Sequence, residues 1–192
     1  MSRNKPRVRF HPDTGDVTCL STAEIKAILR AADELIAQGG RSLLAKVLKG
    51  SKDKKVLEHG LDKNPSYGFY RHLSLPEITN RIDWTIKYDY LRIEYSDRLP
   101  LIVYSEQGWE IERETYAEEL LQKMTELIVG NDYSFVEELK DRNRGMILLL
   151  LEKIRNTNNP GFIPLLRAWQ EIDYKKVRTA IEEVVGYLKL VR

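Results

Sequence analysis

The feature that most constrains the fold is the order of two local signals between residues 74 and 104. Ser74-Leu75-Pro76-Glu77 is a complete helix start: a serine at the cap, a proline in the first turn and a glutamate three residues after the serine. Ile78, Ile82, Trp84 and Ile86 follow as apolar anchors, so the pattern predicts a helix over 75–88. Immediately afterwards the period changes. Leu91, Ile93 and Tyr95 alternate with Arg92 and Glu94, Ser-Asp-Arg-Leu-Pro supplies a turn, and 101–104 is rich in β-branched and aromatic residues. A helix running straight into a short hairpin leaves few architectures open.

Upstream, Ser21 or Thr22 can cap a helix with Glu24 in its first turn and Ile25, Ile28, Leu29, Ala32, Leu35 and Ile36 as its apolar stripe. Gln38-Gly39-Gly40 ends it. A second helix is expected over 41–48, stopped near Gly50, and a third over 53–59, anchored by Val56 and Leu57 and stopped by Gly60. Three helices followed by a two-stranded hairpin outline a winged helix, a variant of the helix-turn-helix architecture.

The segment GRSLLAKVLKGSKDKKVLEHGLDKNPSYG, followed by LSLPEITNRIDWTIKYDYLRI, resembles the RQC domain, the winged helix that follows the motor in RecQ-family DNA helicases. The resemblance covers 22–110. It implies DNA binding and a role in DNA replication, recombination or repair, at duplex ends, forks or junctions. It also implies that an aromatic residue at the wing tip stacks on a terminal base pair. Here that residue is Tyr95, whose register with Ile93 equally allows it to face the core, and Arg98 beside it could reach a phosphate or stack on a base.

The charge pattern supports a polyanionic partner independently. Residues 1–105 carry 18 Lys and Arg against 13 Asp and Glu, 106–140 carry three against ten, and 141–192 carry ten against six, so net charges of +5, −7 and +4 lie behind the overall +2. Arg41 and Ser42 fall at a helix start, where free N–H groups favour a phosphate. Gly50, Ser51 and Lys52 form a second turn open to close approach, and Lys46, Lys49, Lys54 and Lys55 add point charges. Arg3, Lys5, Arg7 and Arg9 extend the basic character into an N-terminal arm, 1–21. On the helix over 75–88, Asn80, Arg81 and Lys87 are candidate DNA contacts, but Glu77, Asp83 and Asp89 make that helix poor in net charge. Structure-selective backbone binding is therefore expected over sequence reading.

Catalysis is not expected. There is no G-x-x-x-x-G-K-[ST] loop, no cysteine cluster around the single Cys19, and His11, His59 and His72 are scattered; no cofactor or metal is implied, and helicase activity is not expected from this chain alone. The basic N-terminus lacks the apolar stretch of about 7–15 residues that a signal peptide needs, and no apolar run approaches the length of a membrane span. A cytoplasmic protein without membrane association is the expectation.

Beyond the winged helix, expected over 22–111, residues 112–192 read as an α-helical domain. A helix is expected over 112–129, another capped by Ser134, and then 163–172 and 174–188, a pair that resembles one HEAT-type repeat with Asp173 as a cap. Such a tail could recruit a helicase or repair factor, or extend a DNA surface through Lys175, Lys176, Arg178 and Arg142 or Arg144. The whole is thus mainly α with one small hairpin. Two other functions remain open: a protein-interaction adaptor, and a sequence-specific transcription regulator.

Overall fold

The computed structural model describes residues 10–130, 132–140 and 142–191; the basic residues Arg3, Lys5, Arg7 and Arg9 lie outside them. The chain divides into two compact units, Met1–Glu112 and Arg113–Arg192.

In the first unit, helix α1 (Thr22–Ala32) opens with a full capping box: Glu24 N–H donates to the Ser21 hydroxyl at 3.3 Å and Ser21 N–H donates to Glu24 Oε2 at 2.9 Å. A 3₁₀ turn (Asp33–Leu35) tightens its end. Helix α2 (Arg41–Lys49) stops at Gly50, whose φ of +74° and close approach to the Cα of Gly68 both require the absence of a side chain. Helix α3 (Lys54–Glu58) is a single capped turn, with Asp53 accepting from Lys55 N–H. Val56 anchors it, whereas Leu57, expected to do the same, is 48% exposed because so short a helix buries only one position. Helix α4 (Leu75–Lys87) carries the second capping box, Ser74 with Glu77.

Strands β1 (Leu91–Ser96) and β2 (Leu99–Tyr104) pair antiparallel from Leu91↔Tyr104 to Ser96↔Leu99, leaving Asp97 and Arg98 as the turn. The free edge of β2 is also partnered: Ala37 N–H donates to the Ile102 carbonyl and Ile102 N–H to the Gly39 carbonyl, each at 2.9 Å. The core joins Ile28 and Leu29 of α1, Leu44 and Leu48 of α2, Ile78 and Ile82 of α4, and Leu91 and Ile102 of the hairpin. Each such side chain contributes about 1.5–3 kcal/mol on burial. This is a winged-helix fold, and α2 packs closely on α4. Residues of the preceding segment lie on the same helices, since Trp84 Nε1 donates to the Thr18 carbonyl at 3.2 Å.

Helix α5 (Glu106–Gly130) contains the division between the units. It begins six residues before its expected start, because Ser105 accepts from Gly108 N–H at 3.0 Å and its hydroxyl bonds the Tyr90 carbonyl. In the second unit, α8 (Lys175–Leu190) packs on both α6 (Arg144–Asn156) and α7 (Ile163–Ile172) around Phe162, Trp169, Ile181, Val185 and Leu188. Two expected caps are absent. Ser134 begins a 3₁₀ turn (Ser134–Leu139) and donates to Asp132, while Asp173 spends its carboxylate on Trp169 Nε1 and on Tyr174 N–H.

Candidate nucleic-acid interface

The N-terminus of α2 and the wing enclose a groove of about 530 Å³. Gly40 precedes α2 and offers no side-chain cap, so the first-turn N–H groups of Arg41 and Ser42 are left to other partners. A Cβ on Gly40 would lie 2.9 Å from the Pro100 carbonyl, which is why the wing can sit this close to the helix start. Arg41, Ser42, Lys46 and Lys55 line one side; Tyr95, Leu99 and Pro100 line the other.

The cations of this segment are not equivalent. Arg41 Nη1 lies 2.7 and 2.5 Å from the two oxygens of Asp83, itself 1% exposed, and the guanidinium covers the Phe10 ring at 4.7 Å. Lys46 Nζ donates to Asp53 at 2.7 Å; that bond, with the Lys55 N–H, holds the Asp53 carboxyl below the usual carboxylate range. Lys49 Nζ donates to the carbonyls of Arg71 and Leu73, both at 2.7 Å, and so closes the loop before α4. Lys54 pairs with Glu58 across an exposed helix turn at 3.4 Å. Ser51 accepts from Asp53 N–H through its hydroxyl and from Tyr67 through its carbonyl. Lys52 and Lys55 have no ion-pair partner within bonding distance among the described residues.

The family model described as the RQC domain matches residues 12–126, more than half of the chain. This chain belongs to the RQC-domain family. Over 87 residues, 45% of its length, it is 33% identical to the ATP-dependent DNA helicase RecQ of Bacillus subtilis (strain 168). The aligned stretch spans only 15% of that helicase. No solved structure matches the chain.

On α4 of the RQC domain, the candidate contacts are drawn into the fold to different degrees. Arg81 Nε sits 3.6 Å from Glu24, its guanidinium lies 5.5 Å from the Tyr70 ring, and it donates to the Glu77 carbonyl at 3.0 Å. Tyr70 in turn donates to Glu24 at 3.0 Å. Burial pushes the Tyr70 hydroxyl up, and the Glu24 charge adds to it. Burial also raises the Glu24 carboxyl, but the Ser21 and Tyr70 bonds outweigh it and leave the pKa lowered. Asn80 packs beneath Gly15, where a Cβ would come within 2.3 Å of its amide nitrogen. Lys87 lies 5.9 Å from the Tyr88 ring.

At the wing of the RQC domain, Tyr95 is 43% exposed and belongs to the groove, resolving the ambiguity of its register with Ile93. Tyr95, paired with Pro100, shares the face of Ile93, and both line the groove, so that face opens onto the groove here. Arg98 is exposed in the turn, outside the groove. Leu99, 67% exposed, and Pro100 were legible only as turn residues, yet they complete the apolar wall. Among the described residues no group of three or more His, Cys, Asp or Glu could hold a metal ion, and no helix is long and apolar enough to cross a membrane.

Proposed function

We propose that this RQC domain binds DNA without chemistry of its own, gripping the phosphate backbone of duplex ends, forks or junctions in replication, recombination or repair. The observation that carries the reading is the groove in which an uncapped helix start and the cation Lys55 face an exposed aromatic side chain across about 530 Å³. Phosphate would be met by the α2 N–H groups, the Ser42 hydroxyl, Lys55 and the neighbouring Lys52. Tyr95 would offer its ring to a terminal base, with Arg98 reaching the backbone beyond it. Family membership and the similarity to a protein named as a DNA helicase support the same partner.

The cations that the fold already employs take a different part. Arg41, Lys49 and Arg81 position the helices, and charge reaches DNA chiefly from the unpaired lysines. Backbone contacts of this kind set register without reading sequence. The test is fluorescence anisotropy with length-matched blunt duplex, forked duplex, four-way junction and single strand, each titrated across several salt concentrations. Salt-sensitive binding that prefers ends or forks is expected. Negligible binding to all four at low salt would reject DNA as the partner of this groove and leave a protein as its occupant.

A further inference from the structure

A second basic groove, of about 330 Å³, lies in the Arg113–Arg192 unit, lined by Lys140, Arg142, Arg144 and Tyr174 with the buried Ile147 and Val177. None of its three cations is taken up by an ion pair within bonding distance among the described residues. Arg144 makes no ion pair within bonding distance among the described residues, Lys140 Nζ lies 5.6 Å from the Tyr174 ring, and the Arg142 guanidinium lies 5.4 Å from the Tyr116 ring. Contact with a ring face holds a cation in place without neutralising it. Among the described residues the one carboxylate lining the groove, Asp173, is 7% exposed and committed to Trp169 Nε1 at 2.7 Å and Tyr174 N–H at 2.6 Å. Glu138, two residues before Lys140, pairs with Lys123, and Asp141, between Lys140 and Arg142, lies outside the described residues.

Tyr174 decides the ligand class. Its side chain is 53% exposed beside Lys140, which leaves a large flat apolar ring at the rim of a basic groove. Lys140 approaches one face of that ring, and an acidic side chain offers no complement to the other. A single strand of nucleic acid offers both complements, phosphodiesters for the three cations and unpaired bases with free faces for the ring. Lys175, Lys176 and Arg178, all exposed at the start of α8, add to the positive field around the groove.

We propose that this groove binds single-stranded DNA, its backbone on Lys140, Arg142 and Arg144 and one base stacked on Tyr174. The site shares no residue with the winged-helix groove and goes beyond the reading given for it.

The experiment uses the full chain with labelled oligo(dT) and blunt duplex at several salt concentrations. Lys140→Glu/Arg144→Glu alters two exposed side chains, and circular dichroism checks that the helices are retained. It is expected to weaken oligo(dT) at least about tenfold and to lower the salt slope by about 0.7 for each phosphate no longer neutralised. Tyr174→Ala should weaken oligo(dT) by about fivefold or more, and Tyr174→Phe, which keeps the ring, should restore it. Duplex affinity should survive all three changes and fall instead in Lys52→Glu/Lys55→Glu, which tells failure of one groove from failure of the other. Unchanged oligo(dT) affinity in the double variant overturns the proposal. So does an equal loss for duplex, or competition by polyglutamate of matched charge as effective as that of oligo(dT), which would assign the groove to an acidic protein.

Discussion

Arg41 of α2 and Asp83 of α4 form an ion pair in which one guanidinium nitrogen lies 2.7 and 2.5 Å from the two carboxylate oxygens. Asp83 is buried and also accepts the Asp13 N–H at 2.9 Å, so this carboxylate joins three segments of the winged helix. Removing Arg41 leaves a buried charge with only a backbone donor. Arg41→Ala should therefore cost about 2–3 kcal/mol in urea unfolding, below the loss for a fully buried pair because the Arg41 side chain is 33% exposed. Arg41→Ala/Asp83→Asn should recover part of that loss. A variant as stable as the parent would show that the pair contributes nothing.

Lysines a few residues apart in the same basic segment should respond in opposite ways. Lys49 bonds two carbonyls, so Lys49→Ala strands them and should destabilise by about 1–2 kcal/mol, with any loss of DNA binding following from the fold. Lys52 and Lys55 touch nothing comparable. Their alanine variants should stay within about 0.5 kcal/mol of the parent, while the salt slope on duplex falls by about 0.9 for each phosphate no longer neutralised. Thermal unfolding and anisotropy on the same preparations separate the two effects. A Lys52→Ala/Lys55→Ala variant with an unaltered slope would remove both residues from the interface.

The parts of this architecture that are local in sequence were legible without coordinates. Both capping boxes, Ser21 with Glu24 and Ser74 with Glu77, complete themselves within four residues, and the alternation from Leu91 with the Ser-Asp-Arg-Leu-Pro turn marks the hairpin, whose register in the structure puts Leu91 and Ile102 in the core. What could not be read was how each cation is employed. Arg41 finds its partner 42 residues away and Lys49 its carbonyls 22 and 24 residues away, so composition presents as one basic segment what the fold divides into structural and available charges. The misplaced caps have the same origin. Asp173 looked like a helix cap until Trp169, one turn earlier, claimed its carboxylate.

Gly108 is where α5 meets the end of the hairpin. A Cβ there would lie 1.9 Å from the Tyr90 carbonyl oxygen, which is backbone and already accepts from Ser105 N–H at 3.2 Å and from the Ser105 hydroxyl at 3.1 Å. The helix cannot take a side chain without moving away from the strand. Gly108→Ala should thus destabilise by about 2–3 kcal/mol, against the slight gain that alanine brings in an open helix. Gly186, in α8 with nothing within 4 Å of its added Cβ, serves as the control, and Gly186→Ala should stabilise by about 0.5–1 kcal/mol. Equal effects at the two positions would contradict the packing.

Glu182 of α8 accepts from Arg167 and from Gln170 of α7, with Arg167 Nη2 at 3.1 Å and Gln170 Nε2 at 2.9 Å. These donors, Arg167 first, pull its carboxyl down to about 2. A group whose pKa is depressed by folding contributes stability that is complete above its unfolded pKa of about 4.3 and drains as pH falls toward the folded value. The contribution is therefore present at pH 5 and above and is lost between there and pH 2. The side chains are 37% and 55% exposed, so salt should also weaken the link. Glu182→Gln removes the titration while keeping the shape. Unfolding midpoints measured at pH 7, 5 and 3 should converge for parent and variant as pH falls, and a constant gap between them would show that the Arg167 link does not sense protonation of Glu182.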